Sequence, residues 1–508
     1  MVISILLACQ SQNIELSEQA QLTRLSLDLR GYRPSIEEFS QLDNKTLKIE
    51  DAVKDFLDSS SFPQQMADVF APIYDTRQDE TLYPASDFGL DDEFSFAYSV
   101  GDEPLQIIKE VVESKEPWSM ILTADWTMMN TDLASVYPVE FLEEGEGWRR
   151  ARYVDGRPPA GVLMGNGLWW RYETSNNNAS RARANQISRI FLCQDYLDKE
   201  ISFNFSFDLS DENAFENAIQ ENDSCHSCHV SLDPLASFLG GVFVPRKSGS
   251  EEMIYYHPER EGIWQLQTGL SPSYYGQPGR SLRDLAHLIA GDSQFVQCTV
   301  EQITSYLWRE DISIEEQEDV LAFRETFLKS DLLLRELVQD IVLGDRYLSE
   351  RWNGQDNAKV VSPNQLASQL EHLTGFEFQS DGYKLLLAEN IGFYDMLSMD
   401  DSRIGITTLL LQEQLAGLAT EYWFEYGDIP GALSSGAIGF DWEKDYSLED
   451  VEEQCSELHL KILSIPATEE EVVELRKYFM LVKEEHGAKP AWKAIHRLLL
   501  QDPRFLVY

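Results

Sequence analysis

The chain is poor in basic residues: 41 Lys and Arg stand against 87 Asp and Glu in 508 residues, a formal net charge of −46. A surface of that sign repels phosphate backbones, so nucleic acid is a poor class of partner. Long apolar runs are missing as well. No stretch of eighteen apolar residues occurs, and no segment can cross a membrane as a helix. Cysteine is sparse, with six in the chain; one C-x-x-C is present and none recurs, leaving Cys193, Cys298 and Cys455 each alone. The motifs H-E-x-x-H and G-x-S-x-G and the Gly-rich phosphate loop are absent, so the sequence offers no signature of those hydrolases or nucleotide enzymes. Acidic pairs are so common that none stands out as a general acid and base. The excess charge reads first as a solvated coat; a basic redox partner is compatible with it.

What is present points to helices. The chain is long enough for several cores, and 43% of it is apolar with 11% aromatic. Leu22, Leu25 and Leu29 recur at helical spacing until Gly31 breaks the pattern. Ser35 and Glu38 have the spacing of a capping box, in which a hydroxyl and a carboxylate satisfy free backbone N–H groups. Thr468 and Glu471 repeat it ahead of Val472, Val473 and Leu475. At Ser362-Pro363 a proline takes the first helical position, where its missing N–H is not needed. Few strand-like alternations compete with these signals. The expected fold is mainly α and multi-domain. Breaks in composition divide it into helical regions at 10–85, 86–161 and 353–508, with the chemistry in 162–352. The starts at Ser35 and Thr468 look faintly alike, and two independently capped helices explain that better than a duplication.

Residues 1–9 end in Leu6-Leu7-Ala8-Cys9, which resembles a bacterial lipobox. That resemblance implies a signal segment cut before Cys9, lipidation of its thiol and a lipid anchor rather than a membrane-spanning helix. The run departs from the usual signal by its shortness and by lacking Lys or Arg before it. A true start upstream of Met1 accounts for both. The other reading is a short buried segment with a chance cysteine.

Residues 224–229 read Ser-Cys-His-Ser-Cys-His and contain one C-x-x-C-H. The two thiols, Cys225 and Cys228, have the spacing to add across the vinyl groups of one haem, and His229 follows at the position that binds iron. His226, in the spacer, is expected to be exposed. A structural zinc site wants four ligands, commonly from a second paired motif, and a thioredoxin-like pair wants a βαβ context; neither accompanies this motif. The expectation is an embedded cytochrome c-like segment with one covalent haem c.

Around the motif the chain resembles the large, multi-domain cytochrome c-like proteins of unknown function best known from planctomycetes. Leu122-Thr123-Ala124-Asp125-Trp126-Thr127 with Asn130, Leu133-Ala134 and Tyr137 is similar to one of their segments, and Gly161-Val162-Leu163 to the one that follows. Cys225 to Leu235 matches their C-x-x-C-H-x-x-x-D-P-L run. Gly279-Arg280-Ser281, Phe295 to Cys298 and Tyr306 resemble their closing segment. Asp502-Pro503-Arg504-Phe505-Leu506 and Leu27-Asp28-Leu29-Arg30-Gly31 carry fainter likeness at the ends. Ala236 stands where the family has glycine, and Ser237 to Gly241 replace its usual run. The resemblance covers much of 120–350. It implies a bacterial, exported haem protein at the cell envelope, on the periplasmic or outer-membrane face, without naming a reaction or a redox partner.

Pro234 is expected to stop the helix carrying His229, with Asp233 capping the next turn or, alternatively, bonding the His229 ring. Arg181, Arg183 and Arg189 read as an exposed helix face, or else as partners of the haem propionates. Trp169 and Trp170 read as core. For the sixth iron position Met253 is the candidate, on a polar stretch able to fold back as a loop, with His257 and Met164 behind it. In an oxidising compartment, Cys193 and Cys298, which bracket the motif, are expected to pair and leave Cys455 free and buried; the alternative is two reduced core thiols. Electron transfer is the leading function. A haem enzyme with an open iron site and an envelope interaction protein with a structural haem are its rivals.

Overall fold

The computed structural model describes residues 13–77, 83–198, 223–245, 249–352, 355–376, 404–426, 442, 444 and 446–508. The protein is mainly helical. Its described residues fall into two compact units that interleave along the chain. One comprises the described parts of Met1–Gln65, Thr304–Ile314 and Val338–Tyr508; the other those of Met66–Ile303 and Glu315–Leu337. Contacts therefore group residues 13–65 with the described C-terminal region, a division that composition along the chain does not reveal.

In the first unit the leucine repeat lies in the helix Glu18–Arg30, which Gly31 ends in the left-handed conformation at φ 81°. The capping boxes at Ser35 and Thr468 form, opening the helices Ile36–Asp43 and Glu469–His486, and the proline start opens Pro363–Thr374 with a third box, Ser362 with Gln365. A fourth, Ser447 with Asp450, opens Leu448–Leu463. The core gathers Leu366, Leu415, Trp423, Leu458, Trp492 and Phe505 from the C-terminal helices. The strand Ser349–Trp352 lies between Ile14–Glu15 and Gln355–Asp356 in a small antiparallel sheet.

The two end segments meet inside this unit. The Arg33 guanidinium is buried and donates to the carbonyls of Leu463, Arg504, Phe505 and Val507 and to the Gln369 side chain. Asp28 is buried in its helix and accepts from Lys359 Nζ, Tyr347 and Tyr508. Burial and the Asp28 carboxylate pull Lys359 in opposite directions; burial prevails and lowers it to about 7. The Asp502 side chain caps the short Pro503–Leu506 turn, whose Phe505 and Leu506 are fully buried.

The second unit packs around the long helix Glu93–Glu113. The 86–161 stretch, expected to be helical, is not wholly so. It contains a three-stranded antiparallel sheet in the order Thr127–Met129, Arg149–Tyr153, Val139–Phe141. Thr127, Met128 and Met129 are all buried, so this strand lacks the alternation that marks a half-exposed one. Arg149 and Arg150 lay their guanidinium groups over Phe141 and Trp126, which lets charged residues occupy a strand. Asn130 caps the helix Thr131–Val136 by accepting from Leu133 N–H. Among the described residues no helix is long and apolar enough to cross a membrane.

Candidate functional site

The C-x-x-C-H motif lies on one helix, Asp223–Ala236, in the second unit. Positions three and four apart on a helix are neighbours, so Cys225, Cys228 and His229 occupy one stretch of its surface. Cys228 is a free, buried thiol. Cys225 is placed in the helix by its backbone; its side chain lies outside the described residues. His226 is exposed.

His229 is held by its own helix. Its Nδ1 lies 2.9 Å from Asp233 Oδ1, one turn on. The other ring nitrogen, Nε2, has no hydrogen-bond partner among the described residues, and the side chain is 20% exposed. Asp233, in turn, receives a two-pronged bond from Arg181, Nε to Oδ1 at 2.7 Å and Nη2 to Oδ2 at 3.0 Å. Burial by itself would raise the Asp233 carboxyl, but His229 and Arg181 outweigh it and hold it below the usual carboxylate range.

Two expectations are corrected here. Pro234 does not stop the helix, which continues to Ala236 and then into the tighter turn Ser237–Val242. The helical bond lost to proline belongs to the carbonyl of Val230, a residue 55% exposed and open to water. Asp233 consequently caps nothing and turns to His229 and Arg181. The arginines are not an exposed face either. Arg183 is fully buried and donates to the carbonyls of Tyr172, Trp169 and Val242, while Arg189 reaches the Tyr172 hydroxyl and the Ile73 carbonyl. Sequence distance hid these bonds: Arg181 and Asp233 are 52 positions apart.

Cys193 and Cys298 form a disulfide with Cα atoms 5.3 Å apart, tying the end of the helix Arg181–Leu192 to the helix Ser293–Trp308. Cys455 is free and buried. Cys9 lies outside the described residues.

Met253 ends a short helix, Ser250–Met253, rather than lying in an open loop. Its side chain is buried in a cluster with Phe96, Met164 and Trp170, and it borders a crevice shared with Trp169, Val242 and Tyr256. His257 is engaged by the Glu252 carbonyl and the Glu259 carboxylate. The described contacts bring neither residue to His229. Trp169 and Trp170 are core, as expected.

A second polar centre was not apparent in the sequence. Glu103 is fully buried and accepts from the Tyr153 hydroxyl at 2.7 Å, the Thr127 hydroxyl and the Gly167 N–H. Burial raises its carboxyl above the ordinary range. No spacing rule joins residues 103, 127, 153 and 167.

Among the described residues no three His, Cys, Asp or Glu side chains converge as a metal site. The class defined by fold and site is thus a mainly helical protein of two units, with a single C-x-x-C-H helix whose histidine is backed by an aspartate and an arginine. No family model, no curated protein and no solved structure matches this chain.

Proposed function

We propose that this chain is an exported, lipid-anchored protein carrying one covalent haem c on Cys225, Cys228 and His229, and that it moves electrons at the bacterial cell envelope. The observation that carries the reading is the preparation of His229: Nδ1 is occupied by Asp233, while Nε2 has no partner among the described residues. Ligating histidines are commonly arranged in this way, with the second nitrogen fixed by an acceptor. Cys228 beside it remains a thiol, the form that thioether attachment requires. When bound, haem supplies a one-electron couple tuned by its ligands and its burial.

Attachment is tested directly. Protein made alongside c-type maturation machinery is expected to retain haem through denaturation and acid–acetone extraction, and Cys225→Ala with Cys228→Ala to yield apoprotein. Haem that extracts freely from the unchanged chain removes the reading. The anchor is tested by Cys9→Ser, which is expected to shift the protein out of the membrane fraction; unchanged fractionation removes the lipobox.

A second reading, an enzyme with an open iron site, is favoured by one observation: Met253 is taken up by the core. The spectrum of the oxidised protein separates the two. A low-spin spectrum whose methionine band vanishes in Met253→Ala fits the carrier, and a high-spin spectrum fits the enzyme.

A further inference from the structure

We infer that Asp233, gripped by Arg181, is a positioning residue for His229 that holds the haem at a low reduction potential. The inference rests on the haem reading above and adds a direction to it. Three observations on two helices support it. Asp233 is 3% exposed, so its bond to His229 competes with little water. Its position one turn beyond His229 brings Oδ1 to 2.9 Å from Nδ1 without a loop. Arg181, from the separate helix Arg181–Leu192, contributes both prongs of its fork to the same carboxylate.

The physical consequence follows from charge. A ring N–H shared with a carboxylate makes the opposite nitrogen a stronger donor than does an N–H shared with a neutral carbonyl. A stronger donor to iron stabilises the ferric more than the ferrous state, which lowers the potential. Arg181 sets the strength of that push. The planar fork stops the carboxylate from rotating away, and its positive charge tempers the carboxylate without supplying a competing ring. A carboxylate acting only as a tie between helices needs Arg181 alone; here Oδ1 also serves the iron-side histidine.

The test is a redox titration of the intact, haem-loaded protein. Asp233→Asn preserves shape and removes the charge. It is expected to shift the ferric-to-ferrous preference about tenfold toward ferrous, a rise of ~59 mV for a one-electron couple. Arg181→Gln frees the carboxylate to rotate off the His229 ring and is expected to raise the potential, with Arg181→Lys falling between it and the unchanged protein. If Asp233→Asn does not fold, the two Arg181 variants decide. Potentials that stay put in correctly loaded variants, even with lowered melting temperatures, overturn the inference and leave a purely structural ion pair. An unchanged chain that takes up no covalent haem overturns the haem reading itself, and this inference with it.

Discussion

At the scale of single residues, the first unit places ionisable groups where water does not reach. His496 is fully buried beside Trp423 and Trp442, its Nδ1 bonded to the Trp492 carbonyl and its Nε2 without a hydrogen-bond partner among the described residues. Burial lowers it to about 4, since protonation would add an unpaired N–H inside the core. Unfolded histidine titrates near 6.5, so below that value the unfolded chain takes up protons that the folded one refuses. The stabilising contribution is complete above about pH 6.5 and is lost as pH falls toward about 4, by up to ~1.4 kcal/mol per pH unit for the His496 ring. Protection factors in the helix Ala488–Leu500, which are corrected for the intrinsic slowing of exchange in acid, should fall over that window, and His496→Phe should flatten the response. The Asp28–Lys359 pair yields a different expectation. Removing one member of a buried pair costs ~3–5 kcal/mol, so Lys359→Met should loosen the helix Glu18–Arg30 markedly. Asp28→Asn together with Lys359→Met should recover part of the loss. Additive losses in the same exchange measurement would show that the two are not energetically a pair.

At the scale of elements, two glycines decide where helices end and how closely segments approach. Gly31 has φ 81°, and a Cβ there would meet the end of the Gln65 side chain, which can move. Gly161 has φ 52°, and its Cβ would lie 2.1 Å from the carbonyl oxygen of Ile121, which is backbone and cannot. Gly161→Ala is therefore expected to cost ~3 kcal/mol or more and Gly31→Ala ~1–2 kcal/mol, read from denaturation of each variant. Equal effects would show that the backbone at Ile121 yields. Capping is a milder lever. Thr468→Ala removes the hydroxyl that receives Glu471 N–H and should lower the stability of its helix by ~1 kcal/mol.

At the scale of the molecule, the disulfide closes a span of 105 residues in the second unit, and that span contains the whole C-x-x-C-H helix. Constraint of an unfolded loop of that size corresponds to ~4–5 kcal/mol in the chain-entropy description. Cys193→Ser with Cys298→Ser should therefore destabilise the second unit by ~4 kcal/mol. Peptide mapping without reduction should recover the two cysteines in one linked pair of peptides. Two free thiols in that map would remove both expectations.

The sequence alone determined the features whose causes are local. The leucine period, Gly31 and the hydroxyl–carboxyl pairs at 35/38 and 468/471 specify helices because a helix end is satisfied by residues three or four positions away. The adjacency of Cys228 and His229 is equally local, since one helix turn carries the motif. The tertiary structure decided what depends on distant partners. Arg181 finds Asp233, Arg33 finds the carbonyls of Arg504, Phe505 and Val507, and Glu103 finds Tyr153, because a buried charge must be matched wherever the fold brings a partner. The fate of Met253 belongs to the same class. Its short helix buries it among aromatic side chains, and apolar packing rather than the polarity of neighbouring positions determines where a thioether goes.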